Sequence, residues 1–223
     1  MPSVLIIGAS RGIGREFVTQ YHAEGWDVHA TARQDSDIAD LKAAGAAAYR
    51  ADTSDETTLE TLATDLATEF DLIVVNAGVG SETHEATPAD IDSADWERVM
   101  RVNALGPLLV ARRLGGRIKK VGTFAVLSSV MGSIAENGMG GFYSYRMSKA
   151  ALNAGLKSLS LAMENDGIGV IALHPGWVKT DMGGANADID TAQSVSGLRS
   201  VLAAKAPKDG RLFVNHKGED LPW

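Results

Sequence analysis

Along the chain, short runs of β-branched and other apolar residues alternate with longer stretches in which apolar positions recur three and four apart. The runs Val4–Ile7, Val28–Ala32, Ala46–Arg50, Leu72–Val75, Val121–Leu127, Val170–Leu173 and Arg211–Val214 predict seven strands. Between them, the spacing predicts helices around Ile13–Ala23, Ile38–Ala43, Thr57–Ala67, Asp95–Leu114, Ser144–Glu164 and Thr191–Ala204. Regular alternation of strand and helix requires right-handed crossovers, so the expected fold is α/β: one Rossmann-type, doubly wound, mainly parallel sheet of about seven strands with helices on both faces. The segment Gly183 to Asp190, GGANADID, is too small and polar to build a core. It reads either as an ordinary surface loop or as a flap able to close over a ligand.

Length and composition narrow the function. At 223 residues the chain can bury a sizeable core, and the absence of repeats or linkers points to one domain over residues 1–223. A net charge of −7 argues against a surface that binds nucleic acid. Zero cysteines exclude disulfides, thiolate metal sites and a cysteine nucleophile, and with no basic leader and no membrane-length apolar run the expected location is the cytoplasm. His22, His29, His84, His174 and His216 show no paired metal-binding spacing, so no metal is expected. Hydrolysis lacks a nucleophile-elbow signature.

Two features carry the chemistry. The first is VLIIGASRGIG, in which Gly8, Gly12 and Gly14 sit between a buried strand and a helix start. Glycine permits a tight turn and close backbone approach, while the unpaired N–H groups of a helix N-terminus attract a pyrophosphate. The spacing differs from G-x-G-x-x-G, and a plain strand-to-helix turn is the alternative. At the end of the second strand, where a carboxylate would hold a ribose 2′-hydroxyl, the sequence reads ATAR. Arg33, helped by Arg11, could instead pair with a 2′-phosphate, which favours NADP(H) over NAD(H); a solvated arginine is the alternative at each position.

The second is YRMSK, placing Tyr145 and Lys149 one helical turn apart and therefore on one face. A hydride arriving at a carbonyl carbon leaves negative charge on oxygen, and a positioned donor must stabilise and protonate it. Tyrosine can donate that proton. Its free pKa of about 10 is high for this task, and a nearby ammonium should lower it.

With Asn76-Ala77-Gly78, Val102-Asn103, Ser128-Ser129 and His174-Pro175-Gly176 in the same order, the chain resembles the short-chain dehydrogenase/reductase family over essentially its whole length. GSIAENGMGGFYSYRMSKAALN, PGWVKTDMGG and the ending GEDLPW look most like the carbonyl-reductase and C-factor-like branch. The resemblance implies NADPH-dependent reduction of an aldehyde or ketone, with Tyr145 as general acid, Lys149 as its activator and ribose ligand, Ser129 as carbonyl polariser and Asn103 as a water-holding relay. Ser129 stands further before Tyr145 than is common in the family, so the glycine-rich stretch between them implies an insertion, with Ser128 in reserve.

The cofactor set implied is Gly8, Ser10, Arg11, Gly12, Ile13, Gly14, Arg33, Asp52, Thr53, Asn76, Ala77, Gly78, Tyr145, Lys149, Pro175, Gly176, Val178 and Thr180. For Asp52 and Thr53 an N-cap before the helix at Glu56 is an equal reading. Tyr143, Trp177 and Met182 are candidate substrate contacts. The other implied partner is a second copy of the chain, in a homodimer or homotetramer built on the helices around Asp95–Leu114 and Ser144–Glu164. A different class of reading, an NADP(H)-sensing or C-factor-like signalling protein with incidental turnover, shares the same residues.

Overall fold

The computed structural model describes residues 1–204 and 212–223. Seven strands, β1 (Ser3–Ile7), β2 (Asp27–Ala32), β3 (Ala47–Arg50), β4 (Phe70–Val75), β5 (Ile118–Leu127), β6 (Gly169–His174) and β7 (Phe213–Asn215), form one sheet in the order β3-β2-β1-β4-β5-β6-β7. All six pairings are parallel. The expected strand Arg211–Val214 begins on a residue outside the described ones. The sheet's order reverses between β1 and β4, which opens a crevice at the carboxyl ends of these strands.

The strands read as unbroken apolar runs because both faces are covered. Val4 and Ile6 of β1 point into one core layer with Leu72 and Val74 of β4, while Leu5 and Ile7 join Ile73 and Val75 in the other. The first layer is closed by α1 (Gly12–Ala23), α2 (Asp35–Ala43) and α7 (Thr191–Ala203), through Phe17, Tyr21, Leu41, Val195 and Leu198. The second is closed by α3 (Glu56–Asp65), α5 (Gly106–Leu114) and α6 (Tyr143–Met163), through Leu59, Leu62, Val110, Leu114, Leu152 and Leu156. Among the described residues no helix is long and apolar enough to cross a membrane.

Two local expectations need correction, and a third segment takes a definite form. The stretch Asp95–Leu114 is not one α-helix: α4 (Ser93–Met100) passes into a π-helical segment, Arg101–Leu105, before α5 begins at Gly106. A π-turn keeps the apolar stripe running, which is why periodicity reads straight through it. Strand β5 starts earlier than expected, at Ile118, and is broken in register by Val121 at φ 64°. The segment 183–190, open in the sequence to either a surface loop or a flap, is anchored at both ends, since Gly184 N–H donates to Thr180 O (2.8 Å), Ile189 N–H donates to Trp177 O (3.2 Å) and Ala187 is buried. Asp190 then caps α7 reciprocally with Gln193.

Candidate active site

At the carboxyl ends of the strands lies a cleft of about 400 Å³ lined by Arg11, Gly12, Ile13, Asn76, Gly78, Leu127, Ser128, Tyr145, Lys149, Pro175, Lys179, Thr180, Asp181 and Met182. It brings together residues from Arg11 to Met182, far apart along the chain.

One wall is the glycine turn. Gly8 has φ 85°, and a Cβ there would stand 2.9 Å from the backbone of Ala77. At Gly14 a Cβ would fall 2.2 Å from Gly8 O and 2.6 Å from Asn76 Nδ2. The turn and the Asn76-Ala77 segment are thus pressed into one another, and Asn76 Nδ2 fastens them by donating to Gly8 O (2.7 Å). Thr31, which sequence reasoning missed, accepts from Gly8 N–H at 3.0 Å. The first turn of α1 has no side-chain cap, so its N–H groups face the cleft without an internal acceptor. That arrangement fits a phosphate. Ser10 lies half-buried in the same turn.

Arg33 is 68% exposed at the end of β2, with Nη1 3.9 Å from Asp52 Oδ2. Asp52 is not the helix cap; Asp55 is, accepting from Thr57 N–H, while Asp52 Oδ1 accepts from Ser54 N–H and Oγ–H at 2.8 and 2.6 Å. Thr53 is buried beside Gly106. Arg11 bridges the cleft mouth by an exposed ion pair with Asp181 (2.8 Å). Opposite, Gly176 takes φ 87°, Val178 is buried, and the Thr180 methyl stands 3.3 Å from a Cβ built on Gly12.

The floor of the cleft is α6. Tyr145 and Lys149 share its inner face, with Lys149 Nζ 5.7 Å from the Tyr145 ring centre. Lys149 is 4% exposed and donates to Leu127 O at 2.9 Å. Burial lowers its pKa to about 8. The phenol moves against expectation: burial raises it, and the facing Ser129 hydroxyl only partly offsets that.

Ser129 Oγ also accepts from Met131 N–H (3.1 Å), which fixes the short turn Val130–Gly132. A Cβ at Gly132 would lie 2.8 Å from Lys149, so this turn is packed directly on α6. Ser128 lines the cleft, but its hydroxyl donates to the buried Asn153 Oδ1 (2.7 Å). Asn103, fully buried in the π-segment, clasps the Val79 backbone with Oδ1 accepting from N–H and Nδ2 donating to O, both at 2.8 Å, and Nδ2 also donates to Ser148 Oγ (3.0 Å). Its amide is therefore committed to protein partners rather than open to the cleft.

Of the proposed substrate contacts, Met182 lines the cleft. Tyr143 starts α6 half-buried, and Trp177 is largely exposed with Nε1 donating to Gly183 O (2.8 Å); neither lines the cleft. Lys179 and Asp181 do line it and were not anticipated, since nothing in a single charged residue on a loop marks it as cleft-facing. His174 and His216, far apart in sequence, are brought together at the ends of β6 and β7, each with a buried Nδ1 that lacks a hydrogen-bond partner. Among the described residues no group of three or more side chains forms a metal site.

Comparison with known proteins fits this geometry. Residues 2–190 match the family model for short chain dehydrogenase. C-signal of Myxococcus xanthus is 39% identical over 168 residues, which is 74% of this chain and all of that protein. The crystal structure of a short-chain dehydrogenase/reductase from Burkholderia multivorans with bound NADP superposes with a TM-score of 0.92 at 32% identity, covering 100% of this chain and 99% of that one. NADPH-bound carbonyl reductase from chicken fatty liver gives 0.90 at 30% identity, again covering 100% and 99%. With its crossover crevice, glycine turn and Tyr145–Lys149 pair, the chain belongs to the short-chain dehydrogenase family.

Proposed function

We propose that this chain reduces an aldehyde or ketone to the alcohol using NADPH, with Tyr145 as the proton donor. The observation that carries the reading is the placement of the Tyr145 phenol and Lys149 ammonium on one face of α6 at the floor of the cleft, opposite the glycine turn. NADP(H) is supported by the uncapped first turn of α1, the Gly8–Gly14 cradle, the cleft-lining Arg11 and the exposed Arg33 at the end of β2, and by the NADP- and NADPH-bound relatives. When bound, NADPH supplies the hydride.

The chain's own residues do the rest. The Ser129 hydroxyl, facing the phenol, orients the substrate oxygen toward it. Tyr145 gives its proton to that oxygen as negative charge develops there, and Lys149 favours the resulting phenolate at the moment it forms. Because Lys149 is buried and already holds Leu127 O, its charge is unscreened and its position fixed. Asn103 keeps the π-segment and residue 79 in register beside this lysine, a positioning role rather than the water-holding relay the resemblance implies. Arg33 and Arg11 would hold the 2′-phosphate, Arg11 by exchanging Asp181 for it. Assembly as a homodimer or homotetramer through α4–α5 and α6 is supported by the exposed Leu105, in the π-helical segment between α4 and α5, and the exposed Leu161 on α6.

A panel of aldehydes, ketones, diketones and quinones assayed with NADPH and NADH tests the reading. Reduction of at least one class with NADPH preferred is expected, with Arg33→Ala raising the KM for NADPH about 10-fold or more and leaving that for NADH little changed. Preference for NADH, or no reduction of any carbonyl, would refute it.

A further inference from the structure

Catalytic helix α6 begins with an unusual entry. Gly140, Gly141 and Phe142 all have positive φ, at 69°, 63° and 51°, and Phe142 is one of only two non-glycine residues so strained among the described residues. Such a conformation persists only where the surroundings impose it. No side chain within the entry caps the helix, because the position before Tyr143 is Phe142.

Glu85, from the loop between β4 and α4, supplies what is missing. It is 2% exposed, yet it forms no ion pair among the described residues. Its backbone oxygen accepts from Phe142 N–H at 2.8 Å. Oε2 accepts from Ser144 N–H at 2.7 Å, and Oε1 accepts from the Ser144 hydroxyl. A buried carboxylate is tolerable only when its oxygens are satisfied, and here the donors are the first turn of a 21-residue helix, where the helix dipole also favours negative charge. Glu85 therefore grips residues 142 and 144, immediately before Tyr145.

The other end of the same loop is fastened too. Asn103 holds Val79 through both backbone groups, Arg98 Nη2 donates to Gly80 O (2.9 Å), and Asp95 accepts from Ser81 Oγ–H (2.7 Å) and Glu82 N–H (2.9 Å). Residues 79–85 thus form a strap running from the Asn76–Gly78 wall of the cleft to the start of α6. We infer that Glu85 is a positioning residue for the reaction: it locks the strained entry of α6 and so sets where the Tyr145 phenol stands relative to Lys149 and the cofactor-side wall.

This inference rests on Tyr145 being the proton donor, and the test separates the two. Glu85→Ala, Glu85→Gln and Ser144→Ala are compared with wild type for kcat, for the KM of NADPH and for the pH profile of kcat/KM, with Tyr145→Phe alongside. Misplacing a reacting group by about 1 Å costs on the order of 100-fold. Glu85→Ala should accordingly lower kcat by roughly 10- to 100-fold, displace the acid ionisation in the profile by about half a pH unit or more, and leave the KM for NADPH within about threefold. Glu85→Gln keeps an acceptor for Ser144 N–H and should recover kcat to within about fivefold of wild type. If Glu85→Ala gives no folded protein, Ser144→Ala, which removes only the hydroxyl bond, should lower kcat by about threefold to tenfold.

Wild-type kcat per folded molecule in Glu85→Ala, or in Ser144→Ala where the former does not fold, overturns the positioning role. So does a Gln variant no better than Ala. If those variants are wild-type while Tyr145→Phe is inactive, only the Glu85 role fails; if Tyr145→Phe keeps its activity, the reading beneath it fails.

Discussion

Lys149→Met should reveal what it costs this fold to keep an ammonium under its cleft. Burial brings the lysine from an ordinary value of 10.5 down to about 8. Such a fall corresponds to about 3 kcal/mol of preference for the neutral amine in the folded state. Between pH 8 and 10.5 the unfolded chain therefore binds more protons than the folded one, so this group's contribution to stability rises with pH across that window. Below pH 8 the penalty is fully present. Methionine has similar length and no charge, but it forfeits the bond to Leu127 O (2.9 Å), a loss of about 1–3 kcal/mol. The two effects nearly cancel at pH 7, where the variant should be within about 1 kcal/mol of wild type although it is inactive. The measurement is urea unfolding of both proteins at fixed concentration from pH 7 to 10. Tyr145 and Tyr21, whose phenols are raised by burial, are present in both, so the difference curve isolates the lysine. Wild type should gain about 2–3 kcal/mol on the variant between pH 7 and 10. A difference independent of pH would refute the claim that Lys149 is a desolvated ammonium.

Two further outcomes follow from the packing. Burial, reinforced by His216, lowers His174 to about 4, so the unfolded chain binds more protons between pH 6.5 and 4 and wild-type stability should fall across that range as pH drops. His174→Asn should remove about 2–3 kcal/mol of that fall in urea titrations at pH 7, 5.5 and 4, and an unchanged acid limb would exclude the histidine. Gly14→Ala would drive a methyl against Gly8 O and Asn76, so a loss of about 2–3 kcal/mol in stability is expected, together with weakened NADPH binding by fluorescence titration. Wild-type values for both would show that the turn has room.

What the sequence discloses follows from the range of the interactions. The strands are legible because a parallel sheet covered on both faces leaves continuous apolar runs, and Tyr145–Lys149 is legible because four residues on a helix are neighbours. β5 begins before its readable part because Lys119 and Lys120 precede the kink at Val121, and Lys119 is neutralised by Asp71 from β4. The site's supports are contacts between residues far apart in sequence: Asn103 with Val79, Lys149 with Leu127, Glu85 with Ser144. No local pattern distinguishes Glu85 from a solvated acid, and none separates the π-segment holding Asn103 from regular helix. The direction of the Tyr145 shift was also hidden, because it depends on how much protein surrounds the phenol.

The most direct measurement is Tyr145→Phe assayed with NADPH and the best carbonyl substrate from the panel. Reduction should fall by about 10²–10⁴-fold while NADPH binds with a Kd within about threefold of wild type, since the ring is kept and only the proton-donating hydroxyl is lost. Turnover within about tenfold of wild type would mean that another group protonates the substrate oxygen and that the cleft works differently.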